Sequence, residues 1–531
     1  MKNILLPLSD VQMSYFYGRN KSTFLGGVST HFYIECVTSL DIEKLEKALN
    51  CTIREQPSMR SYITDNGMQC FMDEVPYYKI KQTDLTSFPE EQQEEKFLGY
   101  RKFHSERMFE LNKWPMFEFS IYNFSNQNIL IVDSDMMIMD GLSTEIIIDS
   151  LYKYYDNDNV NEIPVFAFEN YINEKKKKTE NNYAKDKSFW NEILQNLPSG
   201  PQFEKSCNTE EMVFDTSEII ISKDKWDKVK NSLLPERILP SVYLTTAYAK
   251  LLSRWCGQSR ITLNMTVSNR KGSCKELRNA VGDFTEVMLV DFDFTDDKTL
   301  KEKALETQKK ISVRKKHGSV ASSEIIRDYT NMHGCDNSFP FPAVCTCMLF
   351  DVAGSKWEWL GRKRYQVSQT PQVMLDNQIS LKDGRLIIHW DYLSAYFSKN
   401  DIKNMQEEYC GIITGESVQK KYDLFAEQYN DSFREREKTT LVRLFKNKAG
   451  KFSEYTAVSD VNNSCTYGEL DRDSDIIASY ISEKYGAGQA VIIKMKRSVS
   501  AVKAILGIIK AGCFYVPAAH NCPEERLEFI K

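Results

Sequence analysis

The stretch VDSDMMIMDGLS (Val132–Ser143) decides the fold, because it joins a strand pattern to a helix pattern. The apolar segments around its start, MFEFSIYNF and NILIV, predict two strands separated by a short polar turn. The segment at its end, LSTEIIIDSLYKYY, has apolar residues at helical spacing. Three polar residues then lie on a strand-to-helix loop, where proteins often place chemistry: Asp135, Asp140 and Ser143.

The polar residues of this loop also fit a simpler interpretation. Asp and Ser side chains often accept hydrogen bonds from the free N–H groups at a helix start, so Ser143, or even Asp140, could simply begin the helix. Short polar loops usually contain only turn chemistry, and the loop taken alone favours this interpretation. The rest of the chain must therefore decide between a cap and a site.

Length and charge exclude several classes of protein. A chain of 531 residues, 42% of them hydrophobic, is long enough for about three domains with buried cores. The 69 basic and 74 acidic residues nearly balance, so no overall basic field favours a nucleic-acid partner. We therefore expect a globular protein that does not bind nucleic acid.

The cysteines and histidines indicate neither a disulfide framework nor a metal site. The 13 cysteines are scattered, odd in number and without a CxxC pair, which favours a reduced, cytoplasmic setting. The 6 histidines show no metal-ligand spacing, so no metal is predicted. No stretch approaches the length of a membrane span, and the N-terminus lacks the apolar core of a signal peptide, so we expect neither insertion nor export.

Composition divides the chain into three α/β segments. Residues 1–175 mix strand and helix patterns and predict a first lobe. The charged run 173–187, NEKKKKTENNYAKDK, predicts a solvated crossover, with an acidic partner for its lysines as the weaker alternative. Residues 188–430 predict a second α/β lobe, and residues 440–531 open a separate α/β domain that the chain does not complete.

Several motifs, read together, resemble the heterocyclization domain of nonribosomal peptide synthetases, a variant of the peptide-bond-forming condensation domain. Condensation domains carry two histidines before a DG dipeptide. Here those positions are Asp135 and Met136, and the loop matches the heterocyclization form D-x-x-x-x-D-x-x-S, which excludes the histidine-dependent acyltransferases of the same superfold. The resemblance covers about residues 5–430, and its other motifs follow in the family's order: LPLSDVQMSYFYGR, REQPSMR, LPSVYLTTAYAKLLSRW, GDFTEVMLV, PAVCTCML and SQTPQVMLDNQ.

This resemblance implies a fold and a second domain. The fold is two chloramphenicol-acetyltransferase-like lobes arranged as a V-shaped pseudo-dimer. In the tail, CTYGEL and IIKAGCFYVP resemble the first two core motifs of an adenylation domain. The phosphate loop and catalytic lysine of that family would lie beyond Lys531, so residues 440–531 resemble its truncated N-terminal part and we expect no amino-acid activation by this chain alone.

The resemblance also implies a chemistry and its residues. The amine of a carrier-bound Cys, Ser or Thr attacks an upstream thioester, and its side chain then closes a thiazoline or oxazoline ring with loss of water. By family likeness, Asp376 is the acid/base catalyst and Thr346 hydrogen-bonds the reacting atoms or orients that carboxylate. Without the resemblance, Thr346 would be an ordinary strand residue. Arg270 is the candidate partner that holds Asp140, a structural residue, while Asp135 and Ser143 support the loop and Ser143 also caps the helix.

Cofactor and partners follow from the same resemblance. No cofactor is bound directly; phosphopantetheine arms on partner carrier proteins deliver both substrates. Because Met1 lies a few residues before the first motif, either the donor carrier arrives on another polypeptide or the numbering begins inside a longer chain. The acceptor carrier is expected downstream and the adenylation domain in the same chain. Two alternatives remain, a domain that condenses without cyclising and a silent module that only docks carriers. The presence of both Thr346 and Asp376 argues against the silent module.

Overall fold

The contacts of the chain separate two units, residues 1–419 and 420–531. The fold class is mixed α/β, as the sequence predicts. The first unit holds every residue that the sequence singles out for chemistry. The structure is a computed structural model, and the residues it describes are 3–21, 25–205, 213–268, 270, 275–334, 339–349, 356–416 and 439–530.

One five-stranded sheet is built mainly from the N-terminal part of the first unit. In spatial order its strands are β12 (Arg362–Gln369), β2 (His31–Thr38), β7 (Asn128–Asp135), β6 (Phe117–Asn123) and β5 (Lys81–Asp84). Only the β5–β6 pair is parallel among these neighbours. Helices α2 (Ile42–Glu55) and α4 (Gly141–Tyr154) pack on one face, and α3 (Glu90–Glu106) packs on the other. The sheet is thus covered on both sides, which explains the nearly continuous apolar run in β7.

A six-stranded sheet forms the second core. In spatial order its strands are β10 (Thr285–Asp293), β9 (Arg260–Ser268), β11 (Ala343–Met348), β13 (Leu375–Lys382), β14 (Arg385–Leu393) and β8 (Phe214–Ile221). Strand β11 runs parallel to both neighbours. The apolar face packs on α7 (Pro240–Trp255), α8 (Leu300–Arg314) and α11 (Lys399–Thr414). Because side chains alternate along a strand, the opposite face is left for the polar residues of β13, β14 and β8.

The charged run 173–187 lies inside one long helix, α5 (Val165–Leu194). Lys175 and Lys187, near the two ends of the run, each form ion pairs with two carboxylates of the first unit. The first turn of the helix packs in one apolar cluster and its last turn packs in another. The crossover is therefore an ordered helix, and these pairs weaken the alternative of an acidic partner for the lysines.

Strand β12 does not follow the predicted division into lobes. By sequence it belongs to the segment 188–430, yet it pairs antiparallel with β2 of the five-stranded sheet, from Gln369 opposite His31 to Arg362 opposite Val37. The later segment of the chain therefore contributes one strand to the five-stranded sheet, and we call this contribution the strand exchange. The lobe boundaries 1–175 and 188–430 remain predictions.

The first unit also contains a small antiparallel sheet and short helices that surround the larger sheets. Helix α1 is the one that bears on the site. The small sheet and these helices are β1 (Ile4–Pro7), β4 (Met68–Phe71), β3 (Ser61–Ile63), α1 (Asp10–Gly18), α6 (Lys223–Leu233), α9 (Ser322–His333) and α10 (Trp357–Leu360).

The described residues of the second unit form two strand pairs and four helices. A helix-helix contact in it depends on Gly507, where a Cβ atom would lie 2.5 Å from a side-chain carbon of Ile477. The elements are α12 (Leu441–Lys451), β15 (Thr456–Ser459), β16 (Ser464–Thr466), α13 (Tyr467–Tyr485), β17 (Ala490–Lys494), α14 (Val499–Lys510), β18 (Phe514–Ala518) and α15 (Glu524–Ile530).

Two kinds of feature are absent from the described residues of both units. In that part of the chain, no helix is long and apolar enough to cross a membrane. The same residues contain no group of three His, Cys, Asp or Glu side chains placed to hold a metal ion.

Candidate active site

The loop between β7 and α4 is closed by a reciprocal pair of hydrogen bonds. The Asp140 carboxylate accepts a 2.9 Å hydrogen bond from the backbone N–H of Ser143, and the Ser143 hydroxyl accepts one of 3.3 Å from the backbone N–H of Asp140. Asp140 has the extended backbone of a cap (φ −104°, ψ 178°). The prediction that Ser143 caps the helix is corrected: Asp140 is the cap, and Ser143 is its partner inside the first turn.

Arg270 fastens this loop to the second sheet. Its guanidinium Nη2 donates to Asp140 Oδ1 at 2.5 Å and to Ser143 Oγ at 2.9 Å, and the group stacks over the Phe284 ring at 4.5 Å. The backbone of Gly282 completes the tie, because its N–H donates to Ser143 Oγ at 3.0 Å and its carbonyl accepts from Asp140 N–H at 3.2 Å. Asp140 thus has its charge neutralised and its oxygens hydrogen-bonded, which suits a structural role better than proton transfer.

Asp135 is held by helix α1. Arg19, which follows the helix, forms an ion pair with the Asp135 carboxylate, and the backbone N–H of Met137 donates to Asp135 at 3.0 Å. Burial raises the pKa of Asp135, and the charge of Arg19 acts against that rise. Gln12 donates a 2.6 Å hydrogen bond to the Met137 carbonyl. The motif LPLSDVQMSYFYGR therefore supports the loop through Gln12 and Arg19, two residues that our sequence reasoning did not assign.

Thr346 and Asp376 lie on adjacent parallel strands and face the same side of the second sheet. Asp376 of β13 is opposite Val344 of β11, whereas Thr346 is opposite Gln378, so the two candidate residues are offset by two positions. Met348 on the same face reaches the active-site loop: a Cβ atom at Gly141 would lie 3.4 Å from its sulfur. The face that carries Thr346 and Asp376 is thus turned toward the loop.

The environment of Asp376 favours a neutral carboxyl. Its Oδ2 accepts a 2.9 Å hydrogen bond from the Gln378 side-chain amide. Its Oδ1 is shielded from solvent and has no hydrogen-bond partner among the described residues, although other atoms of Asp376 reach the surface. Burial, with a further contribution from the charge of Asp391, raises the pKa of Asp376 to about 7. Near neutral pH this group can both donate and accept a proton.

Two further titratable residues interact electrostatically with the site, and sequence reasoning missed both. Burial raises the pKa of the Tyr15 hydroxyl, and the charges of Asp283, Asp376 and Asp140 add to that rise. Asp283 lies just before β10, and burial together with Asp140 raises its pKa to about 7. Both residues belong to quoted motifs, YFYGR and GDFTEVMLV, so their motif positions were the available signal.

The family comparisons agree with this geometry. A model described as "Condensation domain" matches residues 5–415, and a model described as "AMP-binding enzyme" matches residues 445–531. The first match covers most of the chain and includes the loop, Arg270, Thr346 and Asp376.

Curated relatives match nearly the whole chain at low identity. Bacitracin synthase 1 of Bacillus licheniformis is 25% identical over an alignment 548 residues long that covers 99% of this chain and 10% of that protein. Phenyloxazoline synthase MbtB of Mycobacterium sp. (strain MCS) is 25% identical over an alignment 552 residues long that covers 99% of this chain and 46% of that protein. The chain thus spans less than half the length of either relative.

Solved structures share the fold. The EpoB cyclization-docking bidomain from Sorangium cellulosum gives a TM-score of 0.72 at 24% identity and covers 78% of this chain and 85% of that chain. The nonribosomal peptide synthetase FmoA3 gives 0.68 at 21% identity and covers 99% of this chain and 56% of that chain. From the family match over residues 5–415, the chain belongs to the condensation-domain family, and it continues into a segment of the AMP-binding enzyme type.

Proposed function

We propose that the first unit joins a thioester-bound acyl group to the amine of a carrier-bound Cys, Ser or Thr and then closes that residue into a thiazoline or oxazoline. The supporting observation is Asp376, a shielded carboxyl whose pKa lies at about 7 and whose Oδ1 has no hydrogen-bond partner among the described residues. The name of one relative, phenyloxazoline synthase, and the cyclization-docking structure support a ring-forming reaction over condensation alone.

Amide formation needs little acid/base help from the protein. The amine nitrogen attacks the thioester carbon, the C–N bond forms, the C–S bond breaks, and the amine proton passes to the departing thiolate. The loop has no histidine to take that proton, and its carboxylates Asp135 and Asp140 are engaged by Arg19 and Arg270. Tethering both substrates in one site supplies proximity, which can account for a large part of the barrier in such bimolecular reactions.

Ring closure needs a group that gives and takes a proton. For a cysteinyl substrate, the thiol sulfur attacks the amide carbon, the S–H proton moves to the carbonyl oxygen, and a hydroxyl-bearing ring forms. The Asp376 carboxyl then protonates that hydroxyl, the C–O bond breaks, and water leaves. The resulting carboxylate takes the N–H proton as the C=N bond forms, so Asp376 ends protonated as it began.

Thr346 is proposed to orient the reacting amide. It shares the sheet face of Asp376 and lies two residues along the neighbouring strand, so its hydroxyl is placed to bond a carbonyl or hydroxyl oxygen near the carboxyl. An oriented hydroxyl costs no reorganisation when charge develops on that oxygen.

The partners are proposed to be carrier proteins whose phosphopantetheine arms present the two substrates. The donor arrives from an upstream carrier, on a separate polypeptide in our proposal, and the acceptor from a downstream carrier. An adenylation domain in the same chain, to which residues 445–531 would belong, selects the acceptor amino acid. We propose that the protein works in the reducing cytoplasm, because its 13 cysteines are scattered, odd in number and without a CxxC pair.

The test is a carrier-protein assay that separates the two stages. A donor carrier and a cysteinyl carrier are loaded and mixed with the chain, and the released products are weighed, since ring closure removes one water from the linear amide. Asp376→Asn and Thr346→Val should lower ring yield by about 10² to 10⁴ when one acid/base or orienting group is lost, while linear amide still accumulates. Asp293→Asn is the matched control, a half-buried carboxylate on β10 of the same sheet that pairs with Arg260.

Each alternative has its own outcome. Linear amide as the only product of the unaltered chain would favour a condensation-only domain. Binding of loaded carriers without any product would favour a docking module. Full ring yield from both Asp376→Asn and Thr346→Val would show that the cyclising residues lie elsewhere.

A further inference from the structure

The polar face of the second sheet extends from Asp376 to the surface in two rows. Strand register places directly opposed residues on the same face, so each row is a set of neighbouring side chains. From β13 through β14 to β8, the rows are Asp376, Asp391 and Thr216, and then Gln378, His389 and Glu218.

The Gln378 amide bridges two carboxyl groups. Its nitrogen lies 2.9 Å from Asp376 Oδ2 and 2.9 Å from Asp391 Oδ2. Two carboxylates held by one nitrogen are close enough to repel strongly when both are ionised, and such pairs hold one proton between them near neutral pH. The surrounding hydrogen bonds must then decide which carboxyl keeps the proton.

Those hydrogen bonds favour the charge on Asp391. Besides Gln378, Asp391 accepts from the Ser368 hydroxyl at 2.7 Å, from the Ser368 backbone N–H at 3.2 Å and from His389 Nε2 at 3.1 Å. Within the residues that the structure describes, Asp376 accepts a hydrogen bond from Gln378 at one oxygen, and its other oxygen has no partner. Donors to a carboxylate stabilise its ionised form, so Asp391 is the anion and Asp376 the acid.

His389 stabilises that anion from the other side. Its ring lies 3.1 Å from Asp391 and 3.7 Å from Glu218, and Glu218 in turn pairs with Lys363 at 2.8 Å near the surface. Burial acts against the imidazolium, but the carboxylates outweigh it and raise the pKa of His389 to about 9. At neutral pH, charges therefore alternate from Lys363 inward to Asp391, and the neutral Asp376 lies at the inner end.

We propose that Gln378, Asp391 and His389 are positioning residues for Asp376, which fix its carboxyl toward the loop and leave the shared proton on it. The proposal rests on the function proposed above, since it explains how that carboxyl is ready to donate a proton to the leaving hydroxyl. It predicts that altering the charges behind Asp376 moves the pH dependence of ring closure without moving the reacting groups.

Other titratable groups interact electrostatically with this set and would contribute to its titration. They are Tyr15 of α1, Tyr365 and Lys363 of β12, and Glu218 of β8, and, from the apolar side of the sheet, Cys345 of β11 and Tyr248 of α7. None of them is altered in the test below, so their contribution is common to all variants compared.

The test measures single-turnover ring closure against pH with a donor carrier and a cysteinyl carrier. For the unaltered chain, the rate should fall above about pH 7, where Asp376 loses its proton. Asp391→Asn removes the repelling anion and should move that midpoint down by about one pH unit, whereas His389→Gln removes a cation and should move it up by about one unit. His520→Gln, an exposed histidine of the second unit, is the matched control and should leave the midpoint in place.

Opposite shifts support the proposal, because a merely structural role lowers the rate at every pH without moving the midpoint. Unmoved midpoints in both variants, or shifts of the same sign, overturn it. If either variant fails to fold, Ser368→Ala removes one donor from Asp391 and should move the midpoint upward like His389→Gln; an unmoved midpoint there overturns the proposal. Asp376→Asn distinguishes failure of the proposed function from failure of the positioning proposal. Full ring yield in Asp376→Asn refutes the proposed role of Asp376. Lost ring yield in Asp376→Asn, together with unmoved midpoints in Asp391→Asn and His389→Gln, refutes only the role of the positioning residues.

Discussion

Replacing Asp140 with alanine should destabilise the first unit without removing a reacting group. The substitution leaves the Arg270 guanidinium, which is only 7% exposed, without its 2.5 Å carboxylate partner. Removing one member of a buried ion pair costs about 3 to 5 kcal/mol, and losing a helix N-cap costs about 1 kcal/mol. Because the same carboxylate oxygen serves both interactions, we expect a loss of about 4 kcal/mol rather than their sum.

Tryptophan fluorescence during urea denaturation measures this loss selectively. All 7 tryptophans of the chain lie within residues 1–419, so the signal reports on the unit that contains Asp140. Asp140→Ser retains a good capping residue but not the charge, and should recover about 1 kcal/mol. The double variant Asp140→Ala with Arg270→Met removes the unpaired cation and should be more stable than Asp140→Ala alone.

The same variant distinguishes a structural from a chemical role. Because the distorted loop belongs to the site where both reaction stages are proposed to occur, Asp140→Ala should reduce the yields of linear amide and of ring together. A variant with the unfolding free energy of the original chain and a loss confined to ring closure would refute the reasoning, since Asp140 would then act on the chemistry itself.

Two further predictions concern pH. The pKa of Asp283 is raised to about 7 from 3.8, so its contribution to stability is present at low pH and lost as the pH rises toward 7. Asp283→Asn should therefore raise the unfolding free energy at pH 8 by roughly 2 kcal/mol. The same substitution should have little effect near pH 4. The pKa of His389 is raised to about 9 from 6.5, so its contribution to the unfolding free energy is full below pH 6.5 and is lost as the pH rises through 9. Urea unfolding should therefore show a smaller fall in unfolding free energy between pH 6 and pH 10 for His389→Gln than for the original chain. Equal falls would contradict the ion pairing.

Local patterns predicted the elements that place the site. The turn between β6 and β7 and the start of α4 follow from apolar strand runs and helical apolar spacing, which neighbouring residues determine. The choice of cap was less accessible, because Asp140 and Ser143 are both good capping residues and the decision depends on Arg270, which comes from a distant part of the chain.

Pairings over long sequence distances were not predictable in this way. Nothing in the residues of β12 shows that it adds to the sheet of β2 rather than to that of β13, since an edge pairing is decided by tertiary packing. The run 173–187 was too poor in apolar residues to predict α5, whose ends are held by two separate apolar clusters. The partnership of Asp376 with Asp391 and His389 depends on strand register, which no single-strand pattern contains.

The strand exchange has a mechanical consequence. The chain leaves one sheet at Gln369 and enters the other at Leu375, immediately before Asp376, so only residues 370–374 join them. The six residue steps from Gln369 to Leu375 span at most about 22 Å, which limits how far the two sheets can separate at this point. If the two sheets rotate apart to make space for long substrate arms, the displacement is thus smallest next to this connection, beside Asp376. The Asp376 carboxyl would keep its place while more distant parts of the two sheets move apart.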